Sequence, residues 1–246
     1  MAKYVEPAEP VEPPVTLHIG FLLMPEYTLS TFTNAIGMLR LANRLSGSPL
    51  YRWSVFSIDG EPVVSSAGLE VKVDGGLVDA GPMTILMVCG GYRIKNYSSK
   101  LVIDTLRGLA KKKVVLGAMC TGSYVLAAAG LLDGYRFTIH WEHLASMREE
   151  FPNHNITSSL FVIDRDRYTC SGGISSIDLM LNLISSIHGH QLVQDISDQF
   201  TCDRVRTEKD AQRAPLKYLI GASQPRLVDA VTLMESNIEE PLTLDE

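Results

Sequence analysis

VVLGAMCTGSYVLAAAG, Val114 to Gly130, decides the fold. Val114 to Met119 is an uncharged apolar run of the length of a strand buried on both faces. Cys120 ends it, and Ser123 to Ala129 reads as a helix closed by Gly130. A strand that turns into a helix at a Cys with small neighbours has the form of a nucleophile elbow, with Cys in place of Ser. The small neighbours suit a strained turn and a closely packed helix. The adjacent helix N-terminus is expected to lower the thiol pKa and to supply amides to an anion. The alternative is a buried structural Cys, because free Cys is among the most buried residue types.

Working outward, Val15–Met24 and Ile85–Cys89 are further buried-strand runs, and Tyr51–Ile58 alternates as a strand. Short extended pieces are expected around Val63–Val64 and Leu69–Val73. Helical spacing marks Ser30–Leu45, Leu101–Lys112, Trp141–Phe151 and one long apolar helix, Ile174–Gln199. Leu160–Asp164 and Arg167–Cys170 read as a hairpin across Arg165-Asp166. Strands alternating with helices predict an α/β fold, a three-layer, doubly wound and mostly parallel sheet. Such sheets bind ligands at the carboxyl ends of their strands. Cys89-Gly90-Gly91-Tyr92 ends one of them, and its two glycines let backbone amides approach a ligand.

The 246 residues are 46% hydrophobic and 20% charged, which suits one sizeable core with a small appendage. A net charge of −6, with Lys111-Lys112-Lys113 as the densest basic cluster, argues against a DNA-binding surface in this chain. The lysines read as a solvated helix end. Four scattered cysteines (Cys89, Cys120, Cys170, Cys202) suit neither a zinc site nor a disulfide scaffold. His188-Gly-His190 lacks a further ligand at suitable spacing and reads as a surface helix end, so no metal and no cofactor is expected. Residues 1–14 carry four prolines among acidic residues and read as a disordered leader without a signal-peptide core. No apolar run is long enough to span a bilayer, and a cytoplasmic protein with no membrane partner is the expectation.

The character changes after Cys202. Asp203–Arg213 is densely charged, a surface helix or linker. Pro225 suits the first residue of a helix whose Leu227, Val231, Met234 and Ile238 form one stripe, a dimer contact or a face packed on the domain. Thr243 and Glu246 have capping-box spacing, which announces another helix. The expected organisation is a leader (1–14), an α/β domain (15–202) and a helical linker (203–246) that leads into a domain not included here.

The elbow, Leu126–Gly134 and Thr138-Ile-His140-Trp141 together resemble the PfpI-type class I glutamine amidotransferase-like superfamily, flavodoxin-like in fold. The branch most similar is the one at the N-terminus of AraC/XylS-type transcriptional regulators. Leu39–Asn43, Cys170–Leu179, Asp210–Arg213 and Leu233–Leu242 extend the resemblance, which covers Leu17 to the last residue. In that family the tail leads into two helix-turn-helix motifs, so DNA contact is expected only through a C-terminal domain. The resemblance also implies a homodimer.

Catalysis would need Cys120 as nucleophile and His140, which matches a family His position, as base. The residue after the Cys, often His in the superfamily's proteases, is Thr121. The place of the family's first-helix Glu falls on Ser30 or Thr31, with Glu26 too early. These departures weaken an enzyme reading, a Cys-dependent hydrolase or deglycase using Cys120 and His140. A sensor needs only a pocket with a few convergent groups. The resemblance implies an effector such as arginine, glycine betaine or carnitine. Gly90, Gly91 and Thr121 are the candidates to hold its carboxylate beside Cys120 and His140. Phe32, Tyr92 and Trp141 are candidate aromatic walls for its cation, with Thr31 nearby. Core packing is the alternative for Phe32 and Trp141. For Asp178, capping or dipole compensation at the start of the long helix is the expectation.

Overall fold

The computed structural model of the chain describes residues 16–202, 204–212, 226, 229 and 230. Along the chain come β1 (Leu17–Leu23), α1 (Leu29–Ser46), β2 (Tyr51–Ser57), the short β3 (Val63–Val64), β4 (Glu70–Val71) and β5 (Gly75–Gly76), then β6 (Ile85–Cys89). There follow α2 (Lys100–Lys111), β7 (Val115–Met119), α3 (Gly122–Ala128), β8 (Arg136–Thr138), α4 (Leu144–Glu150) and β9 (Asn155–Thr157). The hairpin of β10 (Phe161–Asp164) and β11 (Arg167–Cys170), then α5 (Ser175–His188) and α6 (His190–Gln199), complete the α/β unit.

Apolar runs can be buried on both faces only if helices cover both faces, and that is what forms. The main sheet has the order β10-β11-β7-β6-β1-β2-β5. It is parallel throughout except for β10 against β11 at one edge. Alternate side chains divide between two cores. Ile19, Phe21, Ile85, Met87 and Met119 pack with Met38 and Leu39 of α1, Leu181 and Ile184 of α5, and Ile196 of α6. Leu22, Leu86, Val88, Leu116 and Ala118 pack with Leu106 of α2, Val125 and Leu126 of α3, and Met147 of α4. The result is the three-layer, doubly wound arrangement expected from the pattern.

Several expectations change. The run Ile174–Gln199 is two helices, because Gly189 adopts a φ of +85° between His188 and His190 and turns the chain. His188 is therefore an inward-facing joint, edge-on to the Tyr51 ring at 5.5 Å, and burial lowers its pKa. Trp141–Phe151 begins as a 3-10 turn, Trp141–His143, before α4. The parallel pair β8–β9 was not read from the sequence, since three-residue strands carry too little pattern. The leader at 1–14 and the capping box at Thr243–Glu246 lie outside the described residues. So does the helix expected after Pro225, apart from helical Arg226, Asp229 and Ala230. No helix among the described residues is long and apolar enough to cross a membrane.

The charged stretch after Cys202 is neither a helix nor a free linker over residues 204–212; it is a strap laid on the α/β unit. Its main anchor is Asp178, buried in the first turn of α5. The Asp178 carboxylate accepts hydrogen bonds from the Arg206 amide (3.0 Å), Nε (3.0 Å) and Nη2 (2.6 Å). Glu208 pairs with Arg136 at 2.5 Å, and Ala211 makes an antiparallel bridge to Ser159. Asp178 thus acts across the fold and not merely on its own helix end. Removing one partner of a buried pair leaves a desolvated charge, so Asp178→Ala is expected to cost about 3 kcal/mol in urea denaturation. The same variant should become sensitive to trypsin at Arg204, Arg206 and Lys209; unchanged cleavage there would contradict this anchoring.

Candidate functional site

Three strand ends meet at one level, with Cys89 and Cys170 each in register with Met119. One residue further, Cys120 takes a φ of +58°, the left-handed region that a side chain rarely adopts. Its amide donates to the Cys170 carbonyl at 3.0 Å, and its own carbonyl accepts from the His140 amide at 3.3 Å. The strained elbow is therefore clamped from both sides. Glycines make the approach close enough. A Cβ on Gly90 would collide with the Gly122 nitrogen, and one on Gly122 with the Val88 carbonyl. Gly172 (φ +94°) lies over Cys120, where a Cβ would come within 2.8 Å of the Cys120 Cβ.

This crowding decides the electrostatics. Cys120 is 7% exposed, and burial pushes its thiol pKa up. The Thr28 hydroxyl, 3.5 Å from Sγ, and the Thr121 amide both favour the thiolate, but burial outweighs them. The expected lowering by the helix N-terminus is thus overturned. The reason is physical: α3 has only 7 residues and the sulfur sits out of water. Burial also lowers the pKa of His140, against the opposing pull of Glu142 3.6 Å from Nδ1. Both shifts, the thiol up and the imidazole down, work against a thiolate–imidazolium pair.

Beside the elbow is a cavity of about 220 Å³ that brings together Gly91, Tyr92, Cys120, Thr121 and His140. Gly90 lies behind it, its amide taken up by the Met119 carbonyl at 3.1 Å. The Thr121 hydroxyl donates to the Gly91 carbonyl at 2.7 Å, leaving backbone amides as what Gly91 and Thr121 offer. Trp141 lines an adjoining recess that shares His140 and Gly173 with the first. Phe32 is not at the cavity; it packs edge-on against Phe21 (5.5 Å) and Tyr27 (5.8 Å) in the core. Thr31 is buried as well, its hydroxyl accepting from the Gly173 amide at 2.7 Å.

Residues that the sequence reading missed complete the lining: Thr28, Ser66, Glu142, His143 and Gly173. Thr28, not Ser30 or Thr31, faces the Cys120 sulfur, because it is the cap residue immediately before α1. Glu26 does not line the cavity; its carboxylate is held by Arg93 and Tyr97. Among the described residues, Glu142 is the one carboxylate in the lining, and no lysine or arginine joins it. Its position next to Trp141 was the available signal.

Alkylation follows the thiolate fraction, so iodoacetamide should modify Cys120 slowly at pH 7. Its rate should still be climbing above pH 9.0, where an ordinary thiol is half ionised. A plateau at or below that pH would show an activated thiol and contradict the balance described above.

The DJ-1/PfpI family model matches residues 31–186. The HTH-type transcriptional regulator GbdR of Pseudomonas aeruginosa is 46% identical over 228 residues, 93% of this chain. The chain spans 62% of that regulator's length. The isonitrile hydratase of Pseudomonas putida is 29% identical over 192 residues, covering 73% of this chain and 77% of that protein. A crystal structure of an AraC family transcriptional regulator from Pseudomonas putida superposes with a TM-score of 0.68 at 28% identity. It covers 75% of this chain and 99% of that one.

Proposed function

The chain belongs to the DJ-1/PfpI family, and from that membership we propose that it is the effector-sensing part of an HTH-type transcriptional regulator. In this reading it binds a small amine-bearing metabolite of the arginine, glycine betaine or carnitine class without turning it over. The observation that carries the reading is the cavity itself: among the described residues its lining holds one carboxylate, Glu142, and no lysine or arginine, while burial pushes the Cys120 thiol pKa up and the His140 pKa down. A cationic head is favoured beside Glu142, with the exposed Tyr92 ring offering a face to it. In this reading the carboxylate meets the backbone of Gly91 and Thr121, on the side of the cavity where β6 and β7 end. Similarity to transcriptional regulators supports the regulatory role.

The same reading assigns DNA contact to a helix-turn-helix domain and makes the regulator a cytoplasmic homodimer that controls catabolic genes. A net charge of −6 over this chain supports keeping DNA contact elsewhere.

A second reading, a Cys-dependent hydrolase or deglycase using Cys120 and His140, is favoured by the likeness to the isonitrile hydratase. It requires the buried thiol to become a nucleophile on substrate binding.

Calorimetric titration of the purified chain with L-arginine, glycine betaine and L-carnitine separates the two. Saturable binding of one of them, with no product formed, is the expected outcome. Glu142→Gln should then weaken that binding about tenfold, as loss of a partly exposed counter-ion would. No binding across the panel overturns the sensor reading. Turnover of the bound compound, or of an isonitrile, that disappears in Cys120→Ala establishes the enzyme.

A further inference from the structure

The strap and the cavity share a peptide. Gln212, near the end of the strap, inserts its side-chain amide between β8 and the start of β10. Its Nε2 donates to Thr138 Oγ1 (3.0 Å) and to the carbonyls of Ile139 (3.0 Å) and Ser159 (2.9 Å). His140, the residue after Ile139, donates its amide to the Cys120 carbonyl and lines the cavity. Thr138 is itself fixed to the elbow helix, its carbonyl accepting from Ser123 Oγ at 2.7 Å. Arg206 and Gln212 also wall the recess that adjoins the cavity, opposite Trp141 and the Gly172-Gly173 turn. A ligand that reaches past His140 thus meets the strap directly, and one that only moves His140 reaches it through a single residue.

We propose that residues 204–212 form an effector-responsive strap whose docking is coupled to the Cys120 cavity through Thr138-Ile139-His140. Gln212 is the positioning residue of this coupling, and the Asp178–Arg206 pair is the hinge point that keeps the strap in register. That the strap responds to an effector rests on the function proposed above; the coupling itself does not, and it can be tested without any ligand. Coupling between two sites is reciprocal, so loosening the strap must change the cavity just as filling the cavity must change the strap. Other features of the molecule carry less. The recess between Ile94 and Met147 has its lysine and acid already paired to each other. The buried thiols of Cys89 and Cys170 have their pKa values pushed up by burial.

The test is iodoacetamide modification of Cys120 in the otherwise unmodified chain, read by peptide mass spectrometry so that the other cysteines do not interfere. Gln212→Ala and Gln212→Glu both remove the donor that holds Ile139 and Ser159. Each should raise the Cys120 rate about fivefold or more, the low end of ordinary site-to-site coupling. Arg44→Ala, in the last turn of α1 and away from the strap, serves as control and should leave the rate unchanged. Rates in both Gln212 variants within twofold of the parent overturn the proposal. If a variant melts too early to be compared, hydrogen exchange of the parent chain decides. Peptides covering 136–143 and 204–212 should open together, and independent opening overturns the coupling. A compound from the titration panel that binds but leaves tryptic cleavage at Arg204, Arg206 and Lys209 unchanged also overturns it, with the sensor reading intact. Absence of binding counts against that reading, while the alkylation rates still judge the coupling.

Discussion

One backbone crossing governs the functional end of the sheet. The chain leaving β6 passes against the chain leaving β7 so closely that neither Gly90 nor Gly122 has room for a Cβ. The Gly90 amide closes the crossing on the Met119 carbonyl. Cys120, one residue on, has nowhere to go but the left-handed region. The cost of that conformation, of order 1–3 kcal/mol, persists only because the surroundings hold it from both sides. Those holders are the Cys170 carbonyl and the His140 amide, contributed by β11 and by the turn after β8. Elements distant in sequence are thus tied together at one residue.

The same crowding sets the chemistry. A nucleophilic thiol needs an exposed or electropositive setting, and Cys120 has neither. Gly172 covers it, the carboxylate nearby is Glu142, and no lysine or arginine among the described residues lines the cavity. Thr28 supplies a hydroxyl contact, enough to orient the sulfur and not enough to ionise it. What is left is a recess that holds Glu142 beside Tyr92, His140 and the Cys120 sulfur.

The strap adds a route outward. Residues 204–212 pack Val205 against the core and are held by directional bonds to Asp178, Thr138, Ile139 and Ser159. Such bonds make or break as units, unlike graded apolar burial, which is the property a two-state element requires. Of these partners, Thr138 and Ile139 directly precede His140 of the cavity lining, and Asp178 lies in α5. The strap and the cavity lining are thus joined through one short peptide, Thr138-Ile139-His140.

The alternation of apolar strands and amphipathic helices was enough to specify the layered α/β fold. The reason is that runs such as Ile85–Cys89 and Val114–Met119 can only be buried with helices on both sides. The elbow was legible too, because a strand, a Cys and small residues in direct succession constrain the local backbone. The neighbours of that Cys were not. Phe32 and Thr31 have helical spacing that fits a pocket and a core equally well, and only packing against Phe21 and Tyr27 assigns Phe32 to the core. The protonation of Cys120 depends on how deeply Gly172 and its surroundings bury it, a quantity without a local signature. Asp178 and Arg206 are 28 residues apart, and nothing in their own neighbourhoods announces the bond between them. Local pattern determined which elements form and where the elbow lies. The tertiary structure alone decided which side chains meet there, because burial and long-range pairing belong to the assembled chain.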